Sequence, residues 1–178
     1  GDLPAAPPAD GAVFPAQRVR LSIVLANRGV TPLNVRQVSV EGFSGNAACT
    51  LTAPAPGGRG GAPVAQPAGP PLTALAKDQV GRCDLSLAVP ENTRVTEPYW
   101  HREGEAGRYV FDDDAPFGMP YRPTPFYVQA TLSLGPNTSE VFAALPVQHR
   151  YEGDIFSGEK RASLLVVPAL SVRVTPGV

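Results

Sequence analysis

Segments that alternate apolar and polar residues with a period of two constrain the fold of this chain more than any other feature. In residues 17–26, every second residue from Val19 to Leu25 is aliphatic, and polar residues such as Arg18 and Arg20 lie between them. Successive side chains of a β-strand point to opposite faces, so this period predicts a strand that is buried on one face. Comparable segments are residues 33–41, 83–89, 126–134, 141–147 and 163–174, and we predict a further short strand near residues 108–111.

Turn-forming residues separate these segments, and no helical periodicity competes with them. The chain contains 21 prolines and 18 glycines among 178 residues, and proline breaks helices because it lacks a backbone N–H. No stretch of about twelve residues repeats apolar positions with a helical period. We therefore predict an all-β fold, an immunoglobulin-like antiparallel β-sandwich with long loop insertions at residues 44–75 and 91–125.

The alternation also predicts details inside the sandwich. Leu33 and Val35 follow one phase of residues 33–41, whereas Val38 and Val40 follow the other. Such a phase change predicts a β-bulge, in which one extra residue re-aims the side chains. The predicted core consists of Val19, Leu21, Ile23, Leu25, Val38, Val40, Leu85, Leu87, Val128, Ala130, Leu132, Val147, Leu165 and Val167.

The domain organisation follows from length and local composition. We expect residues 1–15, which are rich in proline and alanine, to be a tail or linker. Residues 16–176 have a length that suits a single β-sandwich domain, and two smaller sandwiches that divide near residue 90 are the alternative. Because the sequence starts at Gly1, we expect a fragment or processed product of a larger exported protein.

Charge and cysteine content bound the partners and the compartment. The net charge is −1, so no basic field attracts nucleic acid, and no apolar run approaches the length of a membrane-spanning helix. Cys49 and Cys83 either form a disulfide or remain as two buried thiols. A disulfide would imply an oxidising compartment, and on that basis we expect an extracellular or periplasmic location.

Residue patterns for catalysis, metals and cofactors are missing from the sequence. Zinc needs three or four closely placed ligands, but the only histidines, His101 and His149, are far apart and have no ligand spacing. Asp112, Asp113 and Asp114 form either a calcium site or a solvated acidic turn, and the alternating aspartates of a calcium loop are missing. No nucleophile elbow or phosphate-binding loop occurs. We therefore expect no enzyme activity, no metal and no cofactor.

Aromatic and polar residues concentrate in one predicted loop and form the candidate binding site. Aromatic faces stack on the C–H surface of sugars while polar tips form hydrogen bonds, so the cluster predicts a sugar-binding platform. The alternative, which we favour at this point, is that Trp100 and its neighbours pack over the open end of the sandwich. The candidate residues are Tyr99, Trp100, His101, Arg102, Tyr109 and Tyr121.

Three longer runs resemble a known protein region. They are VPENTRVTEPYWHREGEAGRYVF (89–111), PFYVQATLSL (125–134) and PVQHRYEGDIFSGEKRASLLVVPALSV (146–172). The elements TEPYW, GEKR and VVPALSV are similar to the non-catalytic β-sandwich region that follows the catalytic domain in large bacterial deacetylases of the PIG-L (LmbE-like) family. That family's His-Pro-Asp-Asp zinc motif is missing here, since Phe111 precedes the aspartate run.

The resemblance implies an accessory domain of an exported bacterial N-acetyl-sugar deacetylase. Such a domain would pack against or position the catalytic domain, so its partners would be the catalytic or neighbouring domains of the parent chain, with a glycan as a further partner. A stand-alone carbohydrate- or cell-surface-binding module is the alternative function. The two are distinguished by whether the chain binds glycan by itself.

Overall fold

A computed structural model describes residues 11–45, 47–53, 69–105, 107–114, 118–119, 121–135, 138–152 and 158–170. Within these ranges the secondary structure is β-strand, with no helix and therefore no helix that could span a membrane. The strands are β1 (Ala12–Val13), β2 (Arg18–Ala26), β3 (Leu33–Glu41), β4 (Ala74–Leu75), β5 (Val80–Ala88), β6 (Trp100–Glu103), β7 (Arg108–Phe111), β8 (Tyr127–Ser133), β9 (Glu140–Pro146), β10 (Gln148–Glu152), β11 (Glu159–Ser163) and β12 (Leu165–Val166).

Two antiparallel sheets form the body of the molecule and confirm the predicted all-β sandwich. One sheet pairs β2 with β5 along their full length, from Arg18 opposite Ala88 to Ala26 opposite Val80. The other has four strands in the order β4-β3-β8-β9. Buried residues of both sheets, such as Val19 and Val38, belong to the same hydrophobic cluster, which is the arrangement of two sheets that pack face to face.

The predicted bulge lies in β3, where that strand pairs with β8. The register shifts between Val35 and Gln37: Val35 lies opposite Leu132, and Gln37 lies opposite Thr131. Arg36 is the extra residue on the β3 side. The shift explains the change of phase that the sequence shows, because a bulge turns the following side chains to the other face.

The core draws on both halves of the chain, from Val13 to Val166. The predicted core residues Val19, Ile23, Val38, Val40, Leu87 and Val147 are buried, and Leu21, Leu25, Leu85, Val128 and Ala130 are partly buried against them. The largest side chain with no exposure is Phe126, whose ring stacks on Phe43 at 4.4 Å between centroids. The predicted core did not include the buried residues Leu51, Leu75, Val89, Tyr99 and Phe126.

The phase of the last described strand corrects one core prediction. Leu165 is 46% exposed, whereas its neighbours Leu164 and Val166 are 3% and 0% exposed. The run from Leu164 to Val167 is aliphatic at every position, so both phases are apolar and the sequence alone does not select one. The pairing of β12 with β1 selects the phase that buries Val166.

Residues 11–15 are part of the fold, which corrects the prediction of a tail over residues 1–15. The strand β1 pairs in parallel with β12, and Val13 has no exposed surface. Residues 1–10 lie outside the described part of the chain, as do residues 46 and 54–68 of the predicted insertion at residues 44–75. Full burial of the Val13 side chain contributes about 1.5–3 kcal/mol, which favours the docking of this segment against the core.

A disulfide joins the two sheets at the side where residues 47–53 cross between them. The Cys49 N–H donates to Val38 O on β3, and the Thr52 N–H donates to Arg82 O on β5. Cys49 is bonded to Cys83 on β5, with 6.2 Å between the Cα atoms. The bond therefore links the β3 side of the sandwich to the β5 side.

Candidate ligand-binding face

The strands β6 and β7 form a two-stranded hairpin that carries most of the candidate site. Trp100 lies opposite Phe111, and Arg102 lies opposite Tyr109. Residues that face each other across an antiparallel pair share one face of the sheet, and so do residues two apart along a strand. Trp100, Arg102, Tyr109 and Phe111 therefore lie on one face of the hairpin, which we call the aromatic face.

The aromatic face is open to solvent. Its three rings have exposures of 43% for Trp100, 61% for Tyr109 and 66% for Phe111. The Trp100 and Tyr109 rings meet edge to face, with 5.2 Å between centroids and an angle of 86° between planes. This geometry is favourable for two aromatic rings, and it holds the indole in place without burying it.

Polar groups border the aromatic face. Arg102 donates from Nη2 to the carbonyl oxygen of Glu105 at 2.8 Å, which leaves further N–H donors on its guanidinium because arginine carries five. The face thus combines exposed rings with a directional cation, the combination that binding sites for amphipathic, polyhydroxylated ligands use.

The hairpin is anchored beneath its base by Tyr99. This residue precedes β6, has 3% exposure, and its carbonyl oxygen accepts a hydrogen bond of 2.7 Å from the Asp112 N–H, which follows β7. The guanidinium carbon of Arg122 lies 4.7 Å from the Tyr99 ring centre. A cation over an aromatic ring is attracted by the ring quadrupole, so Arg122 covers the buried ring from the outer side.

Carboxylates hold Arg122 in this position. Its Nη2 donates to Asp112 Oδ2 at 2.6 Å and to Asp114 Oδ1 at 2.8 Å, and its Nη1 also contacts Asp114. The hydrogen bond from Arg122 lowers the pKa of the Asp114 carboxyl, and in return the Asp114 hydrogen bond raises the pKa of Arg122. The network ties the chain after β7 to the segment that leads into β8.

The opposite face of the hairpin carries His101, which lies across from Val110. His101 Nδ1 lies 3.2 Å from Asp112 Oδ1, and Arg94 Nη2 lies 3.9 Å from Asp112 Oδ2. His101 is therefore directed toward the anchoring network and away from the aromatic face. Tyr121, which is 55% exposed, lies at the base of the hairpin, where it forms a β-bridge with Pro98.

The structure thus divides the six candidate residues into groups with different surroundings. Trp100, Arg102 and Tyr109 share the aromatic face, His101 lies on the reverse, Tyr121 lies at the base, and Tyr99 is buried. The sequence-based candidates did not include Phe111, although the predicted strand at residues 108–111 together with the period of two already placed it on the face of Tyr109. They also omitted Arg122, which only the tertiary fold brings to Tyr99.

The acidic run Asp112–Asp114, the candidate calcium site, has arginine and histidine as neighbours. Asp112 and Asp114 both bind Arg122, so their oxygens are engaged with a guanidinium. Within the described ranges, no group of three or more His, Cys, Asp or Glu side chains is placed to hold a metal ion.

The chain matches no protein-family model, no curated protein and no solved structure at a significant level.

Proposed function

We propose that this chain is a non-catalytic, carbohydrate-binding β-sandwich module that acts outside the cytoplasm. The observation that carries the proposal is the exposure of Trp100, Tyr109 and Phe111 together on one face of a hairpin. A folding chain gains free energy by burying such rings, about 25 cal/mol per Å² of apolar surface. Three neighbouring rings left in water are therefore typical of a surface that a ligand covers.

The chemistry of the face favours a sugar over an apolar ligand. A ring face stacks on the C–H groups of a pyranose, and hydroxyls around the ring then need hydrogen-bond partners. Arg102 and the Tyr109 hydroxyl supply such partners at the edge of the face. The open, shallow form of a two-stranded hairpin suits an extended polysaccharide better than a small molecule that must be enclosed.

The disulfide between Cys49 and Cys83 supports the proposed compartment. Disulfides persist in oxidising environments and are rare in the cytosol. An extracellular or periplasmic module also has access to cell-wall and matrix glycans, so the proposed location and the proposed ligand agree.

A second candidate function is that of an accessory domain in an exported bacterial PIG-L-type N-acetyl-sugar deacetylase, where it packs against or positions the catalytic domain. The resemblance of residues 89–111, 125–134 and 146–172 to that region supports it. So does Phe142 on β9, which is 76% exposed and offers apolar surface to a neighbouring domain. Both functions are compatible with the same chain, because an accessory domain can also hold its enzyme near a glycan.

The single tryptophan of the chain gives a direct test. Trp100 is the only tryptophan, so its fluorescence reports on the aromatic face alone. We expect soluble oligosaccharides of N-acetylglucosamine or glucose to shift or quench its emission in a saturable manner. We also expect Tyr109→Ala to weaken binding to the matching insoluble polysaccharide at least tenfold, which corresponds to about 1.4 kcal/mol.

The matched control is Tyr151→Ala, which removes an exposed aromatic ring, 53% exposed, from β10 instead. This variant should bind as the unchanged protein does. If no glycan in a broad array alters the Trp100 emission, or if Tyr151→Ala weakens binding as much as Tyr109→Ala, the aromatic face is not a glycan site. Turnover of acetylated sugars by this chain alone would contradict the non-catalytic part of the proposal.

A further inference from the structure

The strand β9 forms one edge of the four-stranded sheet, which has the order β4-β3-β8-β9. Its pairing with β8 extends over the whole strand, from Pro146 opposite Tyr127 to Glu140 opposite Ser133. On the other side of β9, no strand or bridge pairs with it in the described part of the chain. An edge of this kind can accept a further strand.

The hydrogen bonds to β8 show which backbone groups of β9 point outward. The Val147 N–H donates to Phe126 O, and in an antiparallel ladder the residues that bond to the neighbouring strand alternate. In the same register, the odd-numbered residues of β9 bond to β8. The N–H and C=O groups of Phe142 and Ala144 therefore point to the outer edge, and Pro146, which has no N–H, lies in the same phase.

Both faces of β9 expose apolar side chains along this edge. Val141 is 51% exposed, Phe142 is 76% exposed and Leu145 is 67% exposed. Residues that lie opposite each other in an antiparallel pair share a face. Val141 therefore lies on the inner side of the sheet with Leu132, as does Leu145 with Val128, and Phe142 lies on the outer side. A groove of about 290 Å³ between β2 and β9 continues the apolar surface on the inner side.

The edge of β9 lacks the features that keep an edge strand from pairing. Natural edge strands are protected by charged side chains, prolines, bulges or short length. Residues 141–145 (VFAAL) contain neither a charge nor a proline. By contrast, β2 in the facing sheet carries Arg18 and Arg20, and β4 at the other end of the four-stranded sheet has only two residues. The edge of β9 is therefore chemically suited to pairing.

We propose that a second copy of this chain pairs with β9 along this edge, about a two-fold axis at Ala143. Ala143 is the middle residue of β9 (Glu140–Pro146), so this axis pairs the whole strand with itself in antiparallel orientation. On the inner side, Val141 of each copy then lies opposite Leu145 of the other. A two-fold contact uses the same surface on both copies, so the assembly stops at a dimer.

The same axis pairs the outward-pointing backbone groups and keeps like charges apart. Phe142 of one copy lies opposite Ala144 of the other, and each N–H donates to the carbonyl oxygen of the opposite residue. Glu140 is the only charged residue of β9, and it lies opposite Pro146 of the other copy. Like charges that face each other destabilise a strand pair, and this register brings none together. A strand without charge along its middle favours an identical strand over a charged partner.

Sedimentation velocity of the intact chain over a series of concentrations tests the proposal. The strand contributes seven residues from each copy, a contact smaller than the roughly 800 Å² per partner of a standard interface. We therefore expect a reversible dimer with a dissociation constant of about 10–100 μM. The mass should be that of one chain at about 1 μM and should approach that of two chains at about 500 μM.

Leu145→Lys should weaken the dimer at least tenfold, because it puts a charge into the apolar inner side of the contact. The matched control is Val30→Lys, which adds the same charge at an aliphatic residue that is 80% exposed in the turn between β2 and β3. This control should dimerise as the unchanged protein does.

Ala144→Pro is a second variant that leaves the inner side of the sheet unchanged. It removes an outward-pointing N–H that the pairing with β8 does not use, so the circular dichroism spectrum should stay the same while the dimer is lost. Ala144→Ser keeps the N–H and should retain the dimer. The mass of one chain at every concentration would overturn the proposal, as would a dimer that neither Leu145→Lys nor Ala144→Pro weakens. Equal weakening in the two control variants would also overturn it.

Discussion

Tyr99 and Trp100 are adjacent in the chain, yet Tyr99 is 3% exposed beneath Arg122, and Trp100 is 43% exposed beside Tyr109. Consecutive residues of an extended chain point to opposite sides, so one aromatic ring anchors the hairpin and the next one is displayed. This relationship separates a structural role from a binding role at neighbouring positions.

The two rings should therefore respond differently to truncation. Tyr99→Ala removes a buried ring and its contact with Arg122, and we expect a loss of about 3–5 kcal/mol in the free energy of unfolding. Trp100→Ala should cost clearly less than Tyr99→Ala does, since the indole is 43% exposed. Urea unfolding measures the free energy of unfolding of both variants, and circular dichroism gives a signal even in the variant without tryptophan. Equal losses of unfolding free energy would mean that Trp100 is part of the core.

The disulfide between Cys49 and Cys83 should stabilise the sandwich through the loop that it closes. The cysteines are 34 residues apart in sequence, and closure of a loop of this length contributes about 3–4 kcal/mol by restricting the unfolded chain. We expect a Cys49→Ser/Cys83→Ser double variant to lose this amount in denaturant unfolding. A reducing agent should destabilise the unchanged protein and leave the double variant unaffected; equal responses would argue against the bond.

Gly42 should tolerate no side chain. Its φ is +85°, and an added Cβ would lie 2.3 Å from Pro125 O, next to the buried Phe126. Gly45 has a similar φ of +97° with nothing within 4 Å of such a Cβ, so Gly45→Ala isolates the backbone strain, about 1–3 kcal/mol. We expect Gly42→Ala to lower the midpoint of thermal unfolding much further than Gly45→Ala does. Similar midpoints for the two variants would show that the backbone at Pro125 moves to make room for the added Cβ.

Acid should weaken the anchoring network through Asp114. Its pKa is lowered, first of all by the hydrogen bond from Arg122. A carboxyl with a lowered pKa in the folded state stabilises the fold above its unfolded-state pKa, and that contribution is lost as pH falls through the folded-state pKa. The stability difference between the unchanged protein and Arg122→Gln should therefore be larger at about pH 7 than at about pH 2.5.

Carbon-detected NMR titration of the Asp114 carboxyl checks the same point directly. In Arg122→Gln the pKa of Asp114 should rise toward the ordinary aspartate value, because the guanidinium that stabilises the carboxylate is gone. Asp84, whose pKa is lowered mainly by its hydrogen bond with Arg82, serves as an internal control and should not change. An unchanged pKa for Asp114 would show that Arg122 is not its principal partner.

Strand positions were largely predictable, because they depend on local alternation. The predictions for residues 33–41 and 108–111 match β3 and β7, and the change of phase between Val35 and Val38 located the bulge. The prediction failed at Leu165, where adjacent aliphatic residues erase the alternation. It also missed Val13, since a single buried residue in a proline-rich stretch has no periodic neighbours.

The sequence by itself determined that this chain forms strands and which residues alternate along them, because backbone pleating is a local property with a period of two. Only the tertiary structure decided which of the two faces of each strand is covered, because coverage depends on strands that are distant in sequence. That is why Trp100 and Tyr109 lie in solvent while Tyr99 is buried, and why Arg122 reaches Tyr99.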